Sequence, residues 1–139
     1  MELKKLTPNL VVRNVEASLN FYRTVLGLQP GFTVPDAPPY VFGSVTSNGV
    51  EIFFNDQKAV AEDYPALGAK PIGGSITLFI EVEGIEDILK KVQQHGAKIT
   101  MPMKDQFYGM REFAFEDPEG WWSLSPNASR SNHKKRSRF

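Results

Sequence analysis

Glu51, Asn9 and Arg111 are polar groups that could do chemistry in a chain otherwise poor in it. There is no Cys, and only His95 and His133 carry imidazole, so thiolate catalysis, disulfides and Cys-zinc sites are excluded. Any metal would have to rely on carboxylates and few other ligands. Glu51 beside Asn9 or Arg111 offers a metal-free acid–base pair, and suits equally a strand-edge or solvent-facing role. Arg111 presents a forked donor that can anchor a carboxylate or phosphate. It can equally close a cross-strand salt bridge with Glu81, Glu112 or Glu116. No nucleophile–base triad, phosphate-binding glycine loop or dinucleotide fingerprint is present. The aromatic residues point to a different chemistry. Phe53, Phe79, Tyr108, Phe113, Trp121 and Trp122 fall on or beside predicted strands. Such side chains suit the non-covalent grasp of flat or cationic organic molecules. Phe113, Phe115 and one Trp are expected in the core instead.

These residues need elements to place them. Residues 6–13 alternate apolar and polar, which predicts a half-buried strand. Asn14 can then cap a helix from Val15 to about Leu26, with Val15, Leu19, Tyr22 and Leu26 at helical spacing and Gly27 at its end. Residues 28–34 read as a strand, and the proline-rich 35–39 as a loop. Residues 40–46 and 50–54 form a hairpin around Asn48-Gly49. Residues 56–74 read as a connector with at most one helical turn. Residues 75–82 alternate again, and Ile85, Ile88, Leu89 and Val92 predict a helix from 85 to His95, which complements the helix dipole, with Gly96 as the stop. Residues 98–103 extend, and 110–116 and 121–125 make a last hairpin around Asp117-Pro118-Glu119-Gly120. Alternation sends Leu10, Val12, Leu78 and Ile80 toward the helices, and Asn9, Val11, Thr77 and Phe79 to the opposite faces.

The two halves repeat at an offset of about 68–71 residues: Asn9-Leu-Val-Val against Thr77-Leu-Phe-Ile, Gly27 against Gly96, Asn48-Gly49 against Glu119-Gly120. The chain is expected to form one domain over 1–125, with module one at about 6–56, a linker at 57–74 and module two at 75–125. A basic, flexible tail is expected over 126–139. That tail holds five basic residues and no acid, which leaves eleven basic against sixteen acidic residues in 1–125, a charge of about −5. An acidic body argues against nucleic acid as a partner. No apolar run is long enough to span a bilayer, and the N-terminus lacks a secretory signal pattern, so a cytoplasmic location with no membrane partner is expected.

The run Phe107-Tyr-Gly-Met-Arg-Glu-Phe113, followed by Asp117-Pro-Glu-Gly120, resembles the last hairpin of the vicinal oxygen chelate superfamily. That group contains glyoxalase I, extradiol dioxygenases and bleomycin-resistance proteins, and the motif is most similar to the bleomycin-resistance branch. The resemblance covers Leu6 to Ser125. It implies an α+β fold of two tandem βαβββ modules forming curved mixed sheets around a cleft, in a chain that pairs as a homodimer. The metal positions of the family's enzymes correspond here to Asn9, Glu51, Thr77 and Leu124 or Ser123, according to register. One carboxylate in that set is too few for a tightly held divalent ion, so no cofactor, no metal and no catalytic residue is assigned. The resemblance also places Tyr108 at an aromatic position lining the drug groove. The expected function is metal-independent binding of an antibiotic-like or aromatic small organic ligand by Asn9, Glu51, Phe53, Thr77, Phe79, Tyr108, Arg111 and Trp122. The alternatives are a metal-dependent lyase, isomerase or dioxygenase with a non-standard ligand set, and a fold kept for protein–protein contact.

Overall fold

The computed structural model describes residues 1–105, 109–124 and 127–128. They form two compact units, 1–72 and 73–139. The first unit opens with strand β1 (Asn9–Val12), which leads into helix α1 (Val15–Leu26). Strands β2 (Gln29–Val34), β3 (Phe42–Ser47) and β4 (Val50–Asp56) follow, then short helices α2 (Gln57–Asp63) and α3 (Pro65–Gly68). The second unit contains β5 (Thr77–Phe79), α4 (Ile85–Gln94), β6 (Ile99–Asp105), β7 (Met110–Glu116), β8 (Trp122–Leu124) and β9 (Asn127–Ala128). Strand order in the first sheet is β1-β4-β3-β2, and in the second β5-β8-β7-β6. β1 runs parallel to β4 and β5 parallel to β8, while the other neighbours are antiparallel. Both units therefore use one βαβββ plan with a mixed sheet, as the repeat and the resemblance predict.

Local chemistry explains the first unit. Asn14 has extended backbone, and its side-chain oxygen accepts from Ala17 N at 3.0 Å, which satisfies one orphan amide of α1. Gly27 takes φ 69° and closes the other end. The buried face of α1 is Val15, Ser18, Phe21, Tyr22 and Val25, with Leu10, Val12, Val45, Ile52 and Phe54 buried on the sheet. Tyr22 lies against Phe54 with ring centroids 5.3 Å apart. Burying each such side chain contributes about 1.5–3 kcal/mol. Asn48 and Gly49 both have positive φ, 44° and 84°, as a two-residue hairpin turn requires. Between Pro30 and Thr33 β2 carries one extra residue relative to β3. At that bulge Phe32 N donates to Ser44 Oγ at 3.1 Å.

In the second unit α4 buries Ile85, Ile88 and Val92. Leu78, Phe113, Phe115 and Ser123 are buried in the same unit, with the Phe113 and Phe115 rings stacked at 5.6 Å. Both phenylalanines are core, as expected. His95 caps α4, its Nδ1 lying 2.9 Å from Lys91 O, also as expected. The Asp117–Gly120 turn is tied from inside. Asp117 Oδ1 accepts from Glu119 N at 2.9 Å and Trp121 N at 3.0 Å, and Gly120 has φ 90°.

Some boundaries differ from the sequence reading. β1 begins at Asn9, because only residues 9–12 pair with β4 and Pro8 has no amide to give. β5 is three residues long, where eight were expected. The connector holds two helices: Asp56 Oδ2 caps α2 by accepting from Ala59 N, and Pro65 starts α3. Those caps outweigh the missing apolar period. Asn127 and Ala128, expected in the flexible tail, pair with Arg111 and Met110 of β7.

Candidate functional site

The register of β4 decides which first-unit residues share a face. Ile52 and Phe54 are buried on the α1 side, so alternation turns Glu51, Phe53 and Asn55 the other way. Asn9 sits opposite Phe53, and Val11 opposite Asn55. Phe42 and Ser44 lie across from Asn55 and Phe53 on the β3 side. On this face Phe32, Phe42 and Phe53 form an aromatic ladder across three strands. Phe32 and Phe42 stack with centroids 5.1 Å apart and 27° between planes; Phe42 and Phe53 meet at 5.1 Å and 64°. Phe32 is 58% exposed, and Phe42 and Phe53 are half-buried. Exposed aromatic rings held in a row are unusual where nothing is to be bound.

Polar groups flank the ladder. Asn55 Nδ2 donates to Asn9 Oδ1, and Lys5 Nζ pairs with Glu51 Oε1. The structure thus brings Asn9, Glu51 and Phe53 together, and adds Asn55, Phe42, Phe32 and Lys5. Phe42 was legible as a strand residue alternating with Val41 and Gly43. Phe32 was not, because the bulge at Gly31 changes which face it takes.

Thr77 and Phe79 are exposed in the second unit, and Leu78 between them is buried, so both lie on the face away from α4. Leu78 is paired with Ser123, which is buried, so the backbone register aligns positions 122 and 124 with Thr77 and Phe79. Trp122 therefore stands in line with Thr77, and Leu124, not Ser123, is in line with Phe79. Tyr108 falls outside the described residues. Arg111 belongs to the opposite face with Phe113 and Phe115. Its Nη1 donates to Glu86 Oε1 at 2.9 Å and its Nε to Asp105 Oδ1 at 3.1 Å. The hydrogen bond that it donates to Asp105 leads the effects that raise the pKa of Arg111. The ion-pair role foreseen for Arg111 is present, with Asp105 and Glu86 as partners in place of Glu81, Glu112 or Glu116. Glu112, on the same face as Met110 and Ala114, is 5% exposed, and its Oε2 has no hydrogen-bond partner among the described residues.

A concavity of about 460 Å³ opens at the N-terminus of α1, lined by Arg13, Glu16, Pro38, Pro39, Tyr40 and Asp56 among others. It contains none of the eight expected site residues, and two of its polar side chains, Asn14 and Asp56, are committed to helix caps. The aromatic face is the better-built surface for an organic ligand.

The positions that correspond to the metal ligands of the superfamily's enzymes do not fit a metal. The Asn9 oxygen is taken by Asn55, Glu51 is paired with Lys5, and Thr77 brings a neutral hydroxyl. Among the described residues no three His, Asp or Glu side chains gather around one point.

Residues 5–123 match the Glyoxalase/Bleomycin resistance protein/Dioxygenase superfamily. The chain belongs to that superfamily. An uncharacterized protein of Mycobacterium bovis is 26% identical over 126 residues, covering 86% of this chain and 80% of its own. Among solved structures, a glyoxalase/bleomycin resistance protein/dioxygenase family enzyme from Burkholderia phytofirmans superposes with a TM-score of 0.75 at 21% identity, over 88% of this chain and 97% of that one. A glyoxalase/bleomycin resistance protein/dioxygenase from Nocardioides gives 0.71 at 22% identity, over 94% and 86%. At these identities the structural likeness establishes the fold. Among the described residues no helix is long and apolar enough to cross a membrane.

Proposed function

We propose that this protein binds a small organic molecule with a flat aromatic part, without a metal, in the manner that the resemblance to bleomycin-resistance proteins suggests. The observation that carries the reading is the Phe32–Phe42–Phe53 ladder, partly open to solvent and flanked by Asn9, Asn55 and Glu51. Aromatic rings supply contact area at low entropic cost, and the amides and carboxylate orient what lies on them. On the second unit, taken by itself, Thr77, Phe79, Tyr108 and Trp122 are the proposed ligand contacts. Binding is stoichiometric capture, with no bond made or broken. The donor set at Asn9, Glu51 and Thr77 supports the metal-free reading.

The working form is a homodimer. β2 is a sheet edge with Phe32 and Val34 exposed, and such edges favour pairing unless they are covered.

Two measurements test the reading together. Calorimetric titration with Zn, Ni, Mn and Fe(II) is expected to give no tight binding, and one tightly bound ion per chain would overturn it. A screen of planar aromatic antibiotics and metabolites is expected to give saturable binding with one site per chain. Phe42→Ala and Phe53→Ala should each weaken that binding about tenfold or more, in line with the cost of removing a central aromatic contact. Binding indifferent to both substitutions would move the site elsewhere.

A further inference from the structure

We propose that Lys5 fills the cation subsite of the aromatic face from within the chain, and that the ammonium group of a ligand binds by displacing it. The inference rests on the ligand-binding reading above and names the chemistry of the ligand: an aromatic ring carrying a protonated amine. The Glu51 side chain is only 17% exposed, and a carboxylate so withdrawn from water needs a counter-charge. Glu51 stands two residues from Phe53 on the same face, about 7 Å along the strand. A carboxylate beside aromatic rings is the combination that holds an organic cation. In the free protein the counter-charge is Lys5 Nζ, from a side chain that is 55% exposed. Lys5 lies in the segment before β1, where Met1, Leu3 and Leu6 are exposed, so burial of these side chains does not hold it down.

An ion pair with so exposed a cation is weak, so releasing Lys5 costs a ligand little. The ligand amine then inherits a partly buried carboxylate next to a ring platform. Lys5 thereby sets charge preference. It competes with amines, leaves neutral aromatics unaffected, and keeps Glu51 paired when no ligand is present.

The test compares 2-naphthylmethylamine, cationic at neutral pH, with the neutral 2-naphthylmethanol, by calorimetry on the full chain. Lys5→Met should tighten the amine about fivefold and leave the alcohol unchanged. Lys5→Arg should keep the wild-type ratio of the two affinities. Glu51→Gln should remove the preference for the amine, and Lys5→Met should then have no further effect in that background. Urea unfolding of each variant checks that the fold is kept. An amine-to-alcohol ratio that Lys5→Met does not change would overturn the Lys5 assignment. If the alcohol still binds and Phe53→Ala weakens it, the ligand-binding reading survives that result. Failure of both probes to bind wild type and Lys5→Met alike would overturn both.

Discussion

Single side chains carry clear consequences here. Asp117 is 5% exposed, and one of its oxygens accepts two backbone amides of the last turn. Replacing it by Ala leaves those amides without that acceptor, so Asp117→Ala should lower unfolding free energy by about 2 kcal/mol in a urea titration. Ser18 predicts the opposite sign. It is fully buried in the first turn of α1, and its hydroxyl has no hydrogen-bond partner among the described residues. Ser18→Ala removes a desolvated donor and improves helix propensity, so it should stabilise the protein by about 1 kcal/mol. At this scale the sequence was partly legible. The Asn14 and His95 caps and the core roles of Phe113 and Phe115 follow from local spacing. That Arg111 meets Asp105 and Glu86 does not, because Glu86 lies 25 residues away on α4. Only the tertiary fold brings the two charges together.

Among the elements, the bulge in β2 matters most to the proposed site. Gly31 and Phe32 together oppose Ser44, and the extra residue allows Phe32 to stack on Phe42. A Cβ on Gly31 would lie 2.1 Å from Ser44 Oγ and 3.2 Å from Ser44 O. Gly31→Ala should therefore push away the hydroxyl that receives the Phe32 amide. The expected outcome is a loss of about 1–3 kcal/mol in stability, together with weaker binding of aromatic probes, read by urea unfolding and calorimetry. Gly73→Ala should cost stability by a different route and leave binding at the ladder unchanged. Its φ is 79°, and its Cβ would meet the Gly120 carbonyl oxygen at 2.9 Å. Strand and helix identities were readable from period except for α2 and α3 in the connector and β9, which have none, and lengths were not readable. Three-residue β5 sits in a longer alternating run because pairing with β8, not alternation, decides where the strand ends.

For the whole molecule, the proposal of a homodimer predicts twice the chain mass in sedimentation equilibrium at micromolar concentration, and a single chain mass would reject it. The acidic balance of residues 1–125 fits a preference for basic ligands, which the naphthyl amine and alcohol test directly. The amino-acid sequence by itself determined the α+β class, the repeated βαβββ plan, the superfamily and the turning of Asn9, Thr77 and Phe79 away from the helices, though not the face of Arg111. These follow from local periodicity, turn chemistry and a motif, all of which are written in neighbouring residues. The tertiary structure alone decided the rest: that Ser123 is buried beside Leu78, that Phe32 joins the ladder, and that Lys5 meets Glu51. Each depends on register or on contact between distant segments, and a shift of one residue in a strand would move every such side chain to the other face.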